Sequence, residues 1–344
     1  MTRALIIGVT GQDGSLLAKN LLNRGIEVHG TFRRGSSDKF WRINELGIRE
    51  QINYHNYNIG SELAFSEVLR DSKPDLIFSL AGESFTALSF EEPKQFMNVN
   101  IDSTVEQLES IRVYSPLAKV FFAGSSEIFG ESVPTGFLDE NSRQNPATPY
   151  GISKLAQLHL VRLFREKYKL NLYYGIMFPH ESPYRSTEFV TRKIALGLVR
   201  RKFMGAKPLQ LGDLSMQRDW GSATDYVEWM YQLLLTNNPG DFIFGTGQNN
   251  TVEKFLLLCG LSLQLELIRD NENQKSIVNY IDKNSRLLYA ESDVNRFSGN
   301  RFSYGASSPK KLFEAIGNPR VSTLSSLAEE MVQQEITRLS SKFE

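Results

Sequence analysis

The first half of the chain alternates short apolar runs with longer segments whose apolar residues recur at helical spacing. The apolar runs occupy residues 3–8, 26–32, 74–82, 119–123 and 171–178. Runs this short and continuous are typical of strands that are buried on both faces of a parallel sheet. Because helical segments separate the runs, the pattern predicts an α/β fold with a doubly wound parallel sheet and right-handed crossovers.

The pattern becomes less regular after His180. Helices are predicted at 189–203, 226–235 and 252–259 and from 324 onward, with a strand at 242–245 and loops at 271–275 and 298–308. We therefore predict two domains. Residues 1–178, joined by 213–245, form the domain built on the parallel sheet. Residues 179–212 and 246–344 mainly form a smaller C-terminal domain that binds the substrate.

Composition and charge exclude several classes of protein. Of 344 residues, 41% are hydrophobic and 23% charged, and 39 basic residues balance 39 acidic ones. A neutral chain gives no reason to expect a nucleic-acid partner or a basic membrane-binding surface. No apolar run approaches the roughly 20 residues that span a bilayer. The single cysteine, Cys259, excludes an intramolecular disulfide, so we expect a cytoplasmic protein. We predict no metal site.

Glycines follow the first apolar run at a spacing that suits a bound phosphate. Gly8, Gly11 and Gly14 lie where a strand turns into a helix, so the backbone can approach a pyrophosphate held at the helix N-terminus. A plain strand-to-helix turn is the alternative. The phosphate interpretation predicts a Rossmann-type domain that binds a dinucleotide.

The end of the second strand indicates which dinucleotide is bound. An acidic residue there binds the ribose 2′-hydroxyl of NAD, whereas arginine accommodates the 2′-phosphate of NADP. This chain has Arg33 and Arg34, so we predict NADP. The alternative is that both arginines are solvated surface residues.

Candidate catalytic groups cluster in the sequence between residues 119 and 154. Thr148 and Pro149 are suited to the start of a helix, which would place Tyr150 and Lys154 on one face. A nearby ammonium favours the phenolate form of tyrosine, whose pKa is otherwise about 10. Tyr150 could then accept the proton of a substrate hydroxyl while hydride leaves the carbon that carries this hydroxyl. Ser125 would form a hydrogen bond with the hydroxyl oxygen.

Glu127 adds a second step to this chemistry. Once a ring carbon is a ketone, a carboxylate can remove the neighbouring C–H proton, and the resulting enolate can expel a hydroxyl group. Oxidation, elimination and return of the hydride together make a dehydratase with no net redox change. An exposed loop acid is the alternative interpretation of Glu127.

The strand ends support a single site, because Gly8, Gly82, Ser125 and His180 all fall at carboxyl ends of predicted strands, where such sheets bind ligands.

The motifs resemble those of the GDP-mannose 4,6-dehydratase family, within the extended short-chain dehydrogenase/reductases that act on nucleotide sugars. They span residues 8–14, 29–34, 89–91, 126–127, 149–150, 180–183, 189–194, 218–221, 223 and 225–226. The resemblance implies that Ser125 takes the place of a catalytic threonine, that Glu127 is the acid/base and that Tyr150 is the base, with Lys154 beside it.

The resemblance also implies two sets of binding residues. Cofactor contacts are expected from Gly8, Thr10, Gly11, Gln12, Asp13, Gly14, Arg33, Asn58, Ile59, Leu80, Ala81, Gly82, Ser84, Lys154, His180 and Arg185. Substrate contacts are expected from Ser84, Ser89, Glu181, Arg192, Lys193, Arg218 and Arg296, with the four cations as candidate ligands of a diphosphate. Surface charge is the alternative for each of those cations.

The chain departs from the family pattern near the expected sugar and nucleotide. Compared with the family, Ser125 replaces threonine, Asn58 and Ile59 replace Asp-Leu, Phe85 replaces histidine, Phe129 replaces tyrosine, Pro179 replaces asparagine and Gly299 replaces glutamate. We therefore expect an NADP-dependent nucleotide-sugar 4,6-dehydratase, with GDP-mannose as the first substrate to test. One alternative is a reductase or epimerase of a related 4-keto sugar. Another is an NADP-binding sensor whose turnover is lost through Phe85 and Pro179. The segment from Arg33 to Ser37 resembles an intersubunit contact, so a homo-oligomer, dimer or tetramer, is expected.

Overall fold

The fold is built on a parallel sheet whose strands come from residues 3–244. The computed structural model describes residues 1–33, 35, 39–59, 61–82, 86–130, 136–270, 276–296 and 305–341. Within these ranges the strands are β1 (Arg3–Ile7), β2 (Glu27–Phe32), β3 (Ile52–Asn56), β4 (Leu76–Ser79), β5 (Lys119–Ala123), β6 (Phe137–Leu138), β7 (Asn171–Met177), β8 (His180–Glu181), β9 (Leu209–Leu211), β10 (Gln217–Asp219), β11 (Gly221–Ser222), β12 (Asp241–Phe244), β13 (Asn249–Thr251), β14 (Leu267–Asp270), β15 (Ile277–Asp282), β16 (Leu288–Asp293) and β17 (Ala306–Ser307).

The helices alternate with these strands. They are α1 (Gln12–Leu22), α2 (Trp41–Glu45), α3 (Glu62–Ser72), α4 (Pro93–Met97), α5 (Ser103–Tyr114), α6 (Pro149–Tyr168), α7 (Val190–Met204), α8 (Ala223–Leu235), α9 (Val252–Ser262), α10 (Lys310–Ile316) and α11 (Leu324–Ser340). Short 3₁₀ turns cover Arg49–Gln51, Thr86–Phe90 and Ser126–Phe129, and a π-helical turn covers Asn98–Asp102. Within the described residues, no helix combines enough length and apolarity to cross a membrane.

The main sheet confirms the predicted fold class. In the described residues it has seven strands in the order β12-β7-β5-β4-β1-β2-β3, and every neighbouring pair is parallel. Two hydrophobic clusters cover its faces. One includes Leu17 of α1 and Trp229 of α8, and the other includes Phe65 of α3 and Leu158 of α6. The result is the three-layer arrangement of a Rossmann-type domain, in which the carboxyl ends of the strands form one edge.

A third hydrophobic cluster lies in the C-terminal part of the chain and packs α7, α9 and α11 against a small sheet. That sheet has the order β14-β15-β16-β9. The sequence analysis predicted no strand between residues 267 and 293, whereas the structure has three antiparallel strands there. The strands escaped prediction because polar residues such as Asn279 and Ser292 interrupt the apolar alternation. Leu312 of α10 packs with the main sheet instead. The two-domain division stays a prediction.

The two predicted loops lie largely outside the described residues. Residues 271–275 and 298–304 are not among them, whereas Ala306 and Ser307, which were predicted to lie in a loop, form β17 and pair with β6.

Candidate active site

The glycine turn after β1 brings backbone atoms unusually close together. Gly8 has φ +90°, and a Cβ there would lie 3.0 Å from Ala81. A Cβ on Gly14 would lie 2.3 Å from the carbonyl oxygen of Gly8. No side chain caps α1 at Gly11. The first turn of α1 therefore offers backbone N–H groups and a positive dipole end to an anion, as the glycine spacing predicted.

A cavity of about 330 Å³ extends from this turn along the ends of β2 and β3. Its walls include nine of the predicted cofactor residues: Gly8, Thr10, Gly11, Arg33, Asn58, Ile59, Leu80, Ala81 and Gly82. Lys39 also lines it, and its Nζ donates a hydrogen bond to the carbonyl oxygen of Arg33 at 3.3 Å. Lys39 was missed by sequence analysis because it lies six residues beyond Arg33. It places a second positive charge at the end of β2.

A second cavity, of about 420 Å³, continues from the first across the centre of the sheet edge. The two share Gly8, Gly11, Leu80 and Gly82, so together they form one groove. The second cavity is also lined by Gln12, Asp13, Gly14, Ser125, Glu127, Tyr150, Lys154, His180, Glu181, Arg185 and Arg218. The structure thus brings all four candidate catalytic residues to one wall.

The end of β5 positions Ser125 and Glu127. Gly124 allows the strand to end against Tyr174, because a Cβ there would lie 2.2 Å from its ring. Ser125 then caps the 3₁₀ turn that follows, and its Oγ accepts the N–H of Glu127 at 3.2 Å. The serine hydroxyl and the carboxylate therefore leave the strand end side by side.

The start of α6 positions Tyr150 and Lys154 as predicted. Thr148 caps the helix by accepting the N–H of Gly151 at 2.9 Å, and Pro149 occupies the first turn. Both functional side chains are buried. Nζ of Lys154 donates to the carbonyl oxygen of Ala123 at 2.9 Å and to Oε1 of Gln157 at 3.2 Å.

The pKa of Tyr150 is shifted in the direction opposite to the one expected from the sequence. The pKa of Tyr150 is raised to about 12, chiefly by burial and also by the charges of Glu127 and Asp13, although a hydrogen bond with Ser125 and the charge of Arg185 act to lower it. We had expected the Lys154 ammonium to lower this pKa. Burial dominates instead, and it also lowers the pKa of Lys154 to about 8.

Asp13 and His180 form an ion pair across the same cavity. His180 Nε2 lies 2.9 Å from Asp13 Oδ2. Burial alone would raise the pKa of Asp13, but the charge and hydrogen bond of His180 leave it below its ordinary value. Burial likewise opposes protonation of His180, yet Asp13 raises the pKa of the imidazole. Gln12 completes the group, since its Nε2 donates to Asp13 and to the carbonyl oxygen of His180.

Comparison with known proteins decides the family. A family profile described as GDP-mannose 4,6 dehydratase matches residues 5–331. This chain belongs to that family. It is 39% identical over 267 residues to GDP-mannose 4,6 dehydratase 2 of Arabidopsis thaliana, which covers 74% of this chain and 70% of that protein. It is 32% identical over 351 residues to GDP-mannose 4,6-dehydratase of Vibrio cholerae, which covers 97% of this chain and 94% of that protein.

The fold is shared with more distant relatives. The structure of dTDP-glucose 4,6-dehydratase from Bacillus anthracis in complex with NAD superposes with a TM-score of 0.79 at 18% identity, covering 99% of this chain and 98% of that chain. At this identity the likeness establishes the fold alone.

Glu181, the last residue of β8, and Arg185, four residues later, line the second cavity, which we call the central cavity. Glu181 is buried and accepts the hydroxyl of Thr191 at 2.6 Å. Nε of Arg185 lies 3.4 Å from Oε2 of Glu181, and the guanidinium stacks 3.5 Å above the ring of Phe189. These contacts hold one carboxylate and one guanidinium in the cavity that Tyr150 also lines.

The predicted diphosphate ligands do not all reach the cavity. Arg218 lines it, and Lys193 lies near Arg296, whose charge adds to burial in lowering the pKa of the lysine. Arg192 lies elsewhere: it binds Glu335 of α11 at 2.9 Å and lines a separate cavity beside Trp41. Although Arg192 lies within a family motif, its partner in this chain is the carboxylate of Glu335. We therefore do not assign Arg192 to the diphosphate.

Other predicted positions fall outside the groove or outside the described residues. Ser89 is fully buried in its 3₁₀ turn and does not belong to either wall of the groove. Ser84, Phe85 and Gly299 lie outside the described residues, as do Arg34, Ser36 and Ser37. Pro179 lines the central cavity, and Phe129 is buried. Among the described residues no cluster of three or more possible metal ligands occurs.

A carboxylate that the sequence analysis did not single out holds Arg218 in place. Asp219 is 1% exposed and accepts five hydrogen bonds, from the N–H and hydroxyl groups of Thr246 and Ser307 and from the N–H of Gly247. It joins β10 to β17 and to the turn after β12. Its neighbours Arg218 and Trp220 both line the central cavity. Only the tertiary structure reveals this role, because the donors lie 27 to 88 residues away.

Proposed function

We propose that this protein is an NADP-dependent nucleotide-sugar 4,6-dehydratase that converts GDP-mannose to GDP-4-keto-6-deoxymannose. The observation that carries the proposal is the convergence of Ser125, Glu127, Tyr150 and Lys154 on one wall of the glycine-lined groove. Membership of the family supports the same reaction. The chemistry requires these groups around one sugar ring.

The groove fits a nicotinamide dinucleotide. The close approach at Gly8 and Gly14 leaves no space for a Cβ, as a backbone cradle for a pyrophosphate requires. Arg33 and Lys39 line the end of the groove where the adenosine ribose would lie. Two cations there favour the 2′-phosphate of NADP over the free hydroxyl of NAD.

Tyr150 and Ser125 would carry out the oxidation of the sugar at C4. A bound nicotinamide would supply the hydride acceptor for C4 and the hydride donor for C6, and its oxidised form would supply a positive charge. Tyr150 would accept the proton of the 4-hydroxyl, and Ser125 would donate a hydrogen bond to that oxygen. Because burial keeps the pKa of Tyr150 at about 12, positive charge is needed near the phenol for this step. Lys154, Arg185 and Arg218 are cationic residues that line the same cavity.

Glu127 would carry out the elimination. With a ketone at C4, the proton at C5 becomes acidic, and the carboxylate of Glu127 can take it. The enolate then expels the 6-hydroxyl, which leaves as water after receiving a proton from the protonated Glu127. Hydride would return to C6, and C5 would take up one proton, which balances the proton that Tyr150 removed from the 4-hydroxyl. The balance is loss of one water with no net change in the cofactor.

Substitution of Glu127 tests this assignment. With Glu127→Gln, oxidation at C4 remains possible but elimination does not. We expect reduced cofactor to accumulate on the enzyme, visible by its absorbance, with formation of the 4-keto-6-deoxy product reduced by about a thousandfold or more. Tyr150→Phe is the matched control, because it should abolish both the absorbance change and the product.

The substrate and the direction of the reaction are tested together. GDP-, CDP-, dTDP- and UDP-hexoses should be incubated with the purified protein, and GDP-mannose labelled with deuterium at C4 should give product labelled at C6. No product from any of them would refute the dehydratase. Net consumption of NADPH with a 4-keto-6-deoxy sugar would instead establish a reductase. Cofactor binding with no turnover, unaffected by Glu127→Gln, would establish a sensor.

We also propose that the protein forms a homo-oligomer. Apolar side chains are exposed on α5 (Val105, Val113) and on α6 (Ile152, Leu163). On each helix they lie on one side, so a second copy could cover them. Light scattering should give a dimer or a tetramer, and a monomer at micromolar concentration would contradict this part of the proposal.

A further inference from the structure

The ammonium of Lys154 is held by neutral oxygen atoms. Among the described residues, Nζ donates to the carbonyl oxygen of Ala123 and to Oε1 of Gln157. An ammonium has three donors, so the third is available to a group in the cavity that Lys154 lines. The Lys154 residue is only 6% exposed, and both acceptors therefore act where water screens them little.

A chain of hydrogen bonds fixes the orientation of the Gln157 amide. Its Nε2 donates to Oγ1 of Thr104 at 2.9 Å, and that hydroxyl donates to the carbonyl oxygen of Asn100 at 2.7 Å. A hydroxyl has a single proton, so Thr104 can only accept from Gln157. The NH₂ group must face Thr104, and the carbonyl oxygen of Gln157 must face Lys154. The amide cannot turn over without placing its own donors against the ammonium.

Titratable groups surround Lys154 from several elements. They are Asp13 on α1, Glu127 after β5, Tyr150 on α6 itself, Tyr174 on β7, and His180 and Arg185 from β8 onward. Tyr174 uses its hydroxyl to donate to the carbonyl oxygen of Lys154 at 2.8 Å. Burial alone accounts for the lowered pKa of Lys154. The side-chain acceptor that the ammonium contacts, Oε1 of Gln157, belongs to an uncharged amide.

We propose that Gln157 is a positioning residue for Lys154, and that its neutral, locked carbonyl oxygen holds the ammonium at the carboxyl end of β5. A carboxylate in its place would add negative charge and hold the proton more tightly. An apolar residue would remove one of the two acceptors. Gln157 thus sets both the place of the ammonium and the pH at which its charge is lost. The importance of that charge for turnover rests on the proposed function, whereas its titration does not.

Two isosteric substitutions separate these effects. Gln157→Glu should raise the titration midpoint of Lys154 by about one pH unit or more, and Gln157→Leu should lower it by a similar amount. Gln107→Leu is the matched control. Gln107 is a buried glutamine on α5 whose Oε1 accepts the hydroxyl of Ser79 at 2.6 Å, with no hydrogen bond to Lys154. It should destabilise the protein comparably and leave the Lys154 midpoint in place.

The midpoint can be measured by NMR of isotope-labelled lysine side chains in the full-length protein, with the Lys154 signal assigned by its loss in Lys154→Arg. The high-pH limb of kcat/KM provides a second measurement. Opposite shifts in the two Gln157 variants support the inference, and an unchanged midpoint in both folded variants would overturn it. If the midpoints shift but the wild-type protein turns over no nucleotide sugar, the positioning role stands and the proposed function fails.

Discussion

Removal of the Asp219 carboxylate should destabilise the protein far more than its size suggests. The carboxylate accepts three backbone N–H groups, those of Thr246, Gly247 and Ser307, each at 3.0 Å, and two hydroxyl groups. Asp219→Ala removes this shared acceptor at a site that is 1% exposed, although the N–H of Gly247 also donates to Oγ of Ser307 at 3.0 Å. A buried donor without a partner costs about 1–3 kcal/mol. The two backbone donors left without a partner, those of Thr246 and Ser307, together with the two hydroxyl groups, therefore predict a loss of about 3 kcal/mol or more. That is a large part of the roughly 5–15 kcal/mol of a typical domain.

The measurement is the urea midpoint of unfolding, with the substrate dependence of turnover measured in parallel. Asp213→Ala is the control, because Asp213 accepts the N–H and hydroxyl of Ser215 at the surface and should cost only about 0.5 kcal/mol. Since Arg218 and Trp220 flank Asp219 and line the cavity, KM for the nucleotide sugar should rise in the Asp219 variant. A loss below about 1 kcal/mol would refute the reasoning, because it would mean that water replaces the carboxylate at little cost.

Three further predictions concern the groove. Gly14→Ala should abolish cofactor binding as measured by calorimetry, since its Cβ would lie 2.3 Å from the carbonyl oxygen of Gly8; unchanged binding would mean that the turn can open. Arg33→Ala should weaken NADP by about 1–3 kcal/mol and leave NAD nearly unchanged, through loss of a charge-assisted phosphate contact; equal loss for both cofactors would contradict 2′-phosphate recognition. His180→Gln should destabilise the cofactor-free protein most between pH of about 4 and about 6.5. The raised pKa of His180 contributes stability that is lost as pH rises through its folded value, and the lowered pKa of Asp13 contributes stability that is lost as pH falls. Thermal unfolding across pH measures this, and a pH-independent difference would count against the ion pair.

The parts of the site that depend on local sequence could be predicted. The glycine turn, the cap at Thr148 and the strand that ends before Ser125 are each encoded within a few residues, and parallel topology then brings strand ends to one edge. Contacts between distant segments could not be predicted. Arg192 follows a family motif, yet its partner Glu335 is 143 residues away. The same holds for Lys39 beside Arg33 and for the donors that meet Asp219, since neither spacing nor composition indicates them.

The pKa of Tyr150 shows why placement of residues is easier to predict than their electrostatics. Spacing on α6 correctly indicates that Tyr150 and Lys154 share a face, and a phenol beside an ammonium should ionise more readily. In the structure Lys154 donates to Ala123 and Gln157 instead, while burial raises the pKa of the phenol. Burial decides the direction of the shift, and burial depends on tertiary packing. Tyr150 is thus a buried base with a raised pKa, and the ammonium of the nearby Lys154 donates to two neutral acceptors. Because burial raises its pKa, Tyr150 would need the positive charge of an oxidised cofactor to act as a base. Binding of the cofactor and deprotonation of the substrate would therefore be coupled.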